Sequence, residues 1–196
     1  MAIEFKRTQF SGRVPEIWRG EAKILPAGFK LAQTFPVGTV IRRGTPVAVE
    51  FSDNRMASIC KTAKVLNGGT TSAPRIAKGS YFAVGDKITK VGGAVATINK
   101  IDTSNADYDT LTLSGAISGL VANDIIAETG DTAGEAKFEP NAVVGSELEI
   151  TGKGLPTLDV AYECVVLTPS LDFPILDAWK EGFSMKLNHS IKFITQ

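Results

Sequence analysis

Few side chains in this sequence have the types and spacing that catalysis needs. His189 is the single histidine and therefore the one imidazole that could act as a general base near neutral pH. It alternates with Leu187 and Ile191, and this pattern favours a structural, partly buried histidine over a catalytic one. The sequence contains no nucleophile elbow, no His-Glu-x-x-His motif and no phosphate-binding Gly-rich loop. We therefore expect no enzyme activity and no cofactor.

Two groups of acidic residues could in principle bind a metal or act as an acid–base pair. The loop 102–109 is rich in oxygen ligands, but a calcium loop would need glycine in place of Asp107 and glutamate in place of Leu113. Glu147 and Glu149 lie on one face of a predicted strand, which is also the ordinary place for glutamate beside solvent. The sequence predicts loop and surface roles for both groups and no metal site.

The charge balance narrows the classes of partner. The 196 residues include 21 Lys plus Arg and 21 Asp plus Glu, so the formal net charge is zero. Non-specific nucleic-acid binding usually needs a basic excess, and a membrane span needs a much longer apolar run than any found here. The pairs Arg42–Arg43 and Lys61/Lys64 are interpreted as solvated edges that discourage unwanted strand pairing. We expect neither nucleic acid nor membrane as a partner.

The two cysteines, Cys60 and Cys164, each lie in an apolar strand pattern. Two distant cysteines are too few for a disulfide scaffold or a zinc cluster, so buried free thiols are favoured over a disulfide. Residues 1–7 lack the apolar stretch of a secretory signal. Both observations fit synthesis in a reducing cytoplasm.

The composition favours strands over helices. Val, Ile and Thr number 15, 16 and 18, which is a quarter of the chain, and 19 Gly and 9 Pro interrupt any helical run. We predict an all-β fold with a β-sandwich or barrel-like main domain, an inserted small β-barrel module and one short C-terminal helix. The helix is expected to start at Pro174 and stop at Gly182. The nearly continuous apolar run 160–167 predicts a central strand that is buried on both faces.

The turn signals divide the chain into three parts. Residues 1–24 show no sustained periodicity and are interpreted as an N-terminal arm. Residues 25–74 and 131–196 form the predicted main β domain. Residues 75–130, which follow a Gly- and Thr-rich linker at 67–74, contain five short predicted strands and form the inserted module.

Three segments together resemble the head-fibre and capsid-decoration proteins of tailed bacteriophages and prophages. They are FPVGTVIRRGTPVAV (35–49), KGSYFAVGDKI (78–88), and ATINKID (96–102) followed by YDTLTL (108–113). In that family such segments mark an opening turn and strand and two hairpins of an inserted module. The chain lacks the long repetitive shaft of a true fibre, which favours a compact knob or cement.

The resemblance implies an accessory, non-enzymatic virion protein that is frequently trimeric and bound to the capsid exterior. The expected partners are copies of the chain itself, as a homotrimer, and the major capsid protein. The expected location is the capsid surface, after synthesis in the cytoplasm of the bacterial host. Within the arm, Phe10, Ile17 and Trp18 are large apolar residues that must be covered, and we place them at the subunit or capsid contact.

A carbohydrate- or cell-surface-binding adhesion module is the alternative interpretation of the same all-β pattern. Sugars stack on exposed aromatic faces, so this alternative needs aromatic side chains on loops. The inserted module offers only Tyr81, Phe82 and Tyr108, and the first two occupy strand-like positions. An enzyme with an unrecognised site is a third and weaker alternative.

Overall fold

The computed structural model describes residues 16–52, 55–130 and 132–195. Within these ranges sixteen strands form: β1 (Lys23–Leu31), β2 (Val40–Ile41), β3 (Pro46–Val49), β4 (Met56–Ile59), β5 (Thr62–Leu66), β6 (Arg75–Ala77), β7 (Lys87–Lys90), β8 (Ala96–Asp102), β9 (Tyr108–Leu113), β10 (Ile125–Glu128), β11 (Ala142–Val144), β12 (Leu148–Glu149), β13 (Thr157–Leu167), β14 (Lys180–Glu181), β15 (Ser184–Met185) and β16 (Asn188–Ile194). Single 3-10 turns occupy Thr168–Ser170 and Asp177–Trp179. No α-helix forms in the described ranges, and the predicted all-β class is confirmed. Nothing helical in these ranges has the length and apolar character needed to cross a membrane.

Five strands of the main domain close into a ring. The sheet order runs β1-β4-β3-β11-β13, and an additional pairing of β13 with β1 closes it. The pairs in the ring are antiparallel except for β1 with β4. From β13 the sheet continues through β16, β15 and β14. The ring therefore joins strands from the N-terminal and C-terminal parts of the described chain.

The alternation of side chains across the ring wall separates two hydrophobic cores. Along β3, Val47 and Val49 belong to the inner core, whereas Ala48 between them packs against the outer core. Val160 and Ala161 of β13 are divided in the same way, which confirms that this strand is buried on both faces. The outer core is completed from the C-terminal part of the chain by Ile175, Leu176, Trp179, Met185, Ile191 and Phe193.

Six further strands form a separate closed barrel with the order β10-β5-β6-β9-β8-β7 and antiparallel pairing throughout. Its interior is filled by branched aliphatic side chains, including Val65, Ile76, Ile88, Ile98, Leu111 and Ile126. The barrel begins at Thr62, so its first strand lies before the boundary drawn at residue 75. The segment 67–74 is a loop within the barrel and not a linker, because its backbone carbonyls accept hydrogen bonds from Leu111, Leu113 and Ile117.

The predicted C-terminal helix starting at Pro174 is wrong. The carbonyl oxygen of Pro174, which a helix would bond to the N–H of residue 178, accepts a hydrogen bond from Thr62 Oγ1 at 2.8 Å. Only the 3-10 turn Asp177–Trp179 remains of the helix. Gly182, with φ of +61°, lies in the hairpin between β14 and β15 and does not cap a helix. Tertiary contacts with the barrel and the outer core therefore override the helical spacing.

The barrel is attached to the ring by packing as well as by the chain. Tyr81, from the loop between β6 and β7, is buried in the inner core of the main domain. Its ring stacks on Phe173 with centroids 4.2 Å apart and meets the edge of Phe35 at 5.7 Å. Its hydroxyl accepts a hydrogen bond from the Arg42 N–H at 2.8 Å. The first two segments of the phage resemblance thus meet at this junction.

Candidate interface

The residues preceding β1 are tied to the end of β13 by backbone hydrogen bonds. Trp18 forms an antiparallel bridge with Val166. The N–H of Leu167 donates to the carbonyl of Ile17 at 2.8 Å, and the N–H of Arg19 donates to the carbonyl of Val165 at 2.9 Å. This short strand-like segment therefore continues the edge of β13 that β1 occupies further back along the strand.

The three residues predicted at an interface are placed differently. Ile17 is 9% exposed and belongs to the outer core of its own chain, and Trp18 is half-buried against the same core. Phe10 lies outside the described residues. A contact of these side chains with a second subunit or a capsid stays a prediction, and in it the partly exposed Trp18 is the more accessible of the two described residues.

The side chain of Ile17 packs close to Gly44, in the turn between β2 and β3. Gly44 has φ of +82°, in the left-handed region that favours glycine. A Cβ at this position would lie 2.7 Å from Leu171 Cδ2 and 3.1 Å from Ile17 Cγ2. A side chain at residue 44 would therefore require the side chains of Leu171 and Ile17 to shift.

An open apolar groove of about 610 Å³ lies at the opposite end of β13. It runs between the segment that follows β1 and the turn that joins β12 to β13. Its rims carry Val37 and Leu155, which are 72% and 77% exposed, and its floor includes Leu31 and Leu148. Two exposed aliphatic side chains therefore flank the groove, whose lining also includes the polar residues Gln33, Glu149 and Lys153.

The titratable residues that the sequence offered as candidates for catalysis lie apart from one another in the described structure. His189 Nε2 lies 3.0 Å from Glu181 Oε2, but the two side chains are 65% and 70% exposed. The prediction that His189 is partly buried is therefore wrong, because the buried alternation of β16 begins only at Ile191. Glu147 and Glu149 are exposed as predicted. Across the described ranges no three His, Cys, Asp or Glu side chains are grouped so that they could hold a metal ion.

The aromatic residues considered for sugar binding are mostly covered. Tyr81 and Phe82 are 4% and 7% exposed and fill cores. Tyr108 is half-buried, and one face of its ring is covered by the Arg75 guanidinium at 4.4 Å from the centroid. These positions leave little free aromatic surface for stacking with a sugar.

Both cysteines are buried free thiols, which confirms the sequence prediction. Burial raises the pKa of Cys164 to about 12 and raises the pKa of Cys60 further above the ordinary thiol range. Burial likewise raises the pKa of the Tyr81 hydroxyl. Because the thiolate is the reactive form, neither cysteine has the environment of a nucleophile.

The interpretation of Lys61 as a solvated edge residue is wrong. Its side chain is only 8% exposed and forms ion pairs with Asp86 and Glu128, whereas Lys64 is exposed as expected. Sequence spacing could not separate the two lysines, since the partners of Lys61 are distant in sequence. The groove rims were also missed, although Val37 and Leu155 each carry the local signal of a lone aliphatic residue between glycine and proline.

Comparison of the chain with protein-family models, with curated proteins and with solved structures found no match.

Proposed function

We propose that this chain is a non-enzymatic structural protein that decorates the exterior of a tailed-phage capsid, associating with copies of itself and with the major capsid protein. The proposal rests on the phage-like segments at 35–49, 78–88 and 96–113 and on the character of the surface. The proposed type is a head-fibre or cement-type knob, with a trimer as the expected assembly.

The observation that best supports the proposal is the apolar groove with its two exposed rims. Among the large apolar side chains of the described residues, Val37 and Leu155 are the two most exposed, and both lie beside this groove. Covering these side chains with a second protein surface would remove apolar area from water. On a symmetric shell, many such contacts of modest strength add up through multivalency.

The surroundings of His189, Cys60 and Cys164 are consistent with a binding role. The described histidine is solvent-exposed, and both thiols are buried with raised pKa values. Other ionic side chains form ion pairs at the surface, such as Arg42 with Asp172 at 3.1 Å. These groups are suited to structure more than to turnover of a substrate.

The proposal is tested by measuring the mass of the purified protein in solution and its binding to capsids. The capsids are assembled from the major capsid protein encoded in the same genome, and bound protein is counted after sedimentation. We expect a trimer that cosediments with capsids at a fixed stoichiometry. A monomer that never cosediments, or a glycan-array signal without capsid binding, would overturn the proposal and favour the adhesion alternative.

A further inference from the structure

Three ionisable side chains meet at the end of the barrel that faces the main domain. Glu128 is the last residue of β10, which pairs with β5 on one side and β7 on the other. Lys61 directly precedes β5, and Asp86 directly precedes β7. The Glu128 N–H donates to the Lys61 carbonyl at 3.0 Å, which fixes the two residues side by side. The strand that ends at Glu128 therefore lies between the strands that follow Lys61 and Asp86.

The contact distances place the amine against both carboxylates. Lys61 Nζ lies 2.7 Å from Asp86 Oδ2 and 3.3 Å from Glu128 Oε2. The side chains of Lys61, Asp86 and Glu128 are 8%, 16% and 6% exposed. The Ala83 N–H donates to Asp86 Oδ2 at 2.8 Å, so the Asp86 carboxyl is held in one orientation.

The side chains of Lys61, Asp86 and Glu128 are largely withdrawn from water. Removing charges from water is expensive, and proton transfer from an ammonium to a neighbouring carboxylate neutralises both. A neutral lysine amine is a nucleophile. Its target would be the carboxyl carbon of Asp86, which is bonded to Oδ2, the oxygen that Lys61 Nζ already contacts. Holding the reacting groups in contact supplies the proximity that an amide-forming condensation otherwise lacks.

We propose that Lys61 and Asp86 condense after folding to form an intramolecular isopeptide bond, with Glu128 carrying the protons. Glu128 accepts a proton from the Lys61 ammonium, and the free amine attacks Cγ of Asp86. The Ala83 N–H stabilises the negative charge that develops on Oδ2. The other Asp86 oxygen leaves as water with two of the three ammonium protons, and the third remains on the amide nitrogen. Glu128 returns to its starting state, so no further reactant is consumed.

A fourth charged side chain, that of Lys137, also contacts the site. Lys137 Nζ lies 2.7 Å from Glu128 Oε1 and is 44% exposed. When Lys61 becomes part of an amide, its positive charge is lost, and the Asp86 charge is lost with it. Lys137 then remains as the partner of Glu128, so the product leaves no buried carboxylate without a counterion.

The new bond would tie together two strands that are not paired with each other. β5 and β7 both pair with β10 but not with one another, and the linked residues are 25 positions apart. The bond would close the barrel covalently at the end where the chain enters from the main domain. The proposal concerns the barrel alone and holds whether or not the chain decorates a capsid.

The test is the intact mass of the purified full-length chain under denaturing conditions. We expect the protein to be lighter by one water molecule than its sequence requires, after allowing for the state of the N-terminal methionine. Proteolysis should yield a branched peptide that joins the sequences around Lys61 and Asp86. A mass equal to that of the unmodified chain, or a map without this branched peptide, would show a buried ion pair only and overturn the proposal.

Two variants separate the bond from other losses of water. Lys61→Arg keeps the positive charge but not the amine, and Glu128→Gln keeps the amine and Asp86 but removes the proton carrier. Both should retain the unmodified mass; a lighter mass that persists in Lys61→Arg would contradict the assignment. The pair Lys78–Asp109 is an internal control, since its atoms are 2.8 Å apart but Lys78 is 35% exposed. We expect this pair to remain unlinked in the same peptide map.

Discussion

Tyr81 and Phe82 are neighbours in the chain, yet their side chains are buried in two different hydrophobic cores. Tyr81 fills the inner core of the main-domain ring, and Phe82 fills the interior of the barrel. One peptide unit therefore couples the packing of both bodies. Because each side chain is less than a tenth exposed, neither can leave its core without a rearrangement of the loop between β6 and β7.

We expect Tyr81→Phe to destabilise the protein although it preserves the aromatic stacking. The change leaves the Arg42 N–H, which donates to the Tyr81 hydroxyl, without this partner. The free energy of unfolding should fall by about 0.5–1.5 kcal/mol, the usual net contribution of one hydrogen bond, because this contact is partly buried. Chemical denaturation measures the difference. Tyr108→Phe is the control, because the contact of that ring with Arg75 does not need the hydroxyl, and it should change stability by less than about 0.5 kcal/mol.

Gly44→Ala should be more damaging than Gly38→Ala. Both glycines have positive φ, of +82° and +87°, so both substitutions introduce a similar backbone strain of about 1 kcal/mol or more. Only the new Cβ at residue 44 meets close neighbours, Leu171 and Ile17, whereas nothing lies within 4 Å at residue 38. Thermal unfolding of the two variants should show a larger drop for Gly44→Ala. Equal decreases in the melting temperature would mean that the segment around Ile17 moves aside at no cost in free energy.

The groove substitutions Val37→Asp and Leu155→Asp should reduce self-association or capsid binding without unfolding the protein. Both side chains are more than 70% exposed, so stability should change by less than about 0.5 kcal/mol. A charge at either rim would have to be desolvated on binding, which weakens the contact. Light scattering and capsid cosedimentation measure the effect. Val121→Asp is the control, because Val121 is 60% exposed but lies on the barrel, outside the groove.

The protein should lose stability as the pH rises above about 9. The pKa values of Cys60 and Cys164 are raised by burial from an ordinary thiol value of 9.0, so above that pH the unfolded chain releases protons that the folded chain retains. Stability is therefore fully present below pH 9 and falls with increasing pH, up to about pH 12 for Cys164. Each thiol can contribute up to about 1.4 kcal/mol per pH unit.

The measurement is the free energy of unfolding between pH 8 and pH 11 for the native chain and for a double Cys60→Ala, Cys164→Ala variant. The slopes are compared, since the two substitutions also change core packing. The variant should show a shallower alkaline decline. Identical slopes would contradict a role of the thiols and leave Tyr81, whose pKa is also raised, as the group responsible.

The parts of the fold that follow from local periodicity were predictable. Val47 and Val49 alternate at the period of a strand, and the apolar run 160–167 marks a strand that is buried on both faces. The insertion of a small barrel also followed from the dense turn signals between residues 75 and 130. In each of these cases the information lies within a few neighbouring residues.

Features that depend on distant partners could not be predicted in the same way. The spacing around Pro174 fits a helix, but the hydroxyl of Thr62, 112 positions earlier, takes the carbonyl that a helix would use. The environment of Lys61 depends on Asp86 and Glu128, which arrive from two other strands. The burial of Ile17 and the exposure of His189 likewise depend on how segments that are distant in sequence pack against the cores.

The order in which the two bodies are completed during synthesis follows from their connectivity. The barrel is one uninterrupted stretch from Thr62 to Glu128, whereas Lys23 of β1 pairs with Glu163, 140 positions later. Translation delivers the whole barrel before β13 leaves the ribosome, and β1 must wait for its partner. A barrel that folds first would hold the C-terminal end of β4 close to the C-terminal end of β10. The loop that must still close when β1 pairs with β13 would then be effectively shorter. The folded barrel then brings together the chain segments from which the main-domain ring forms.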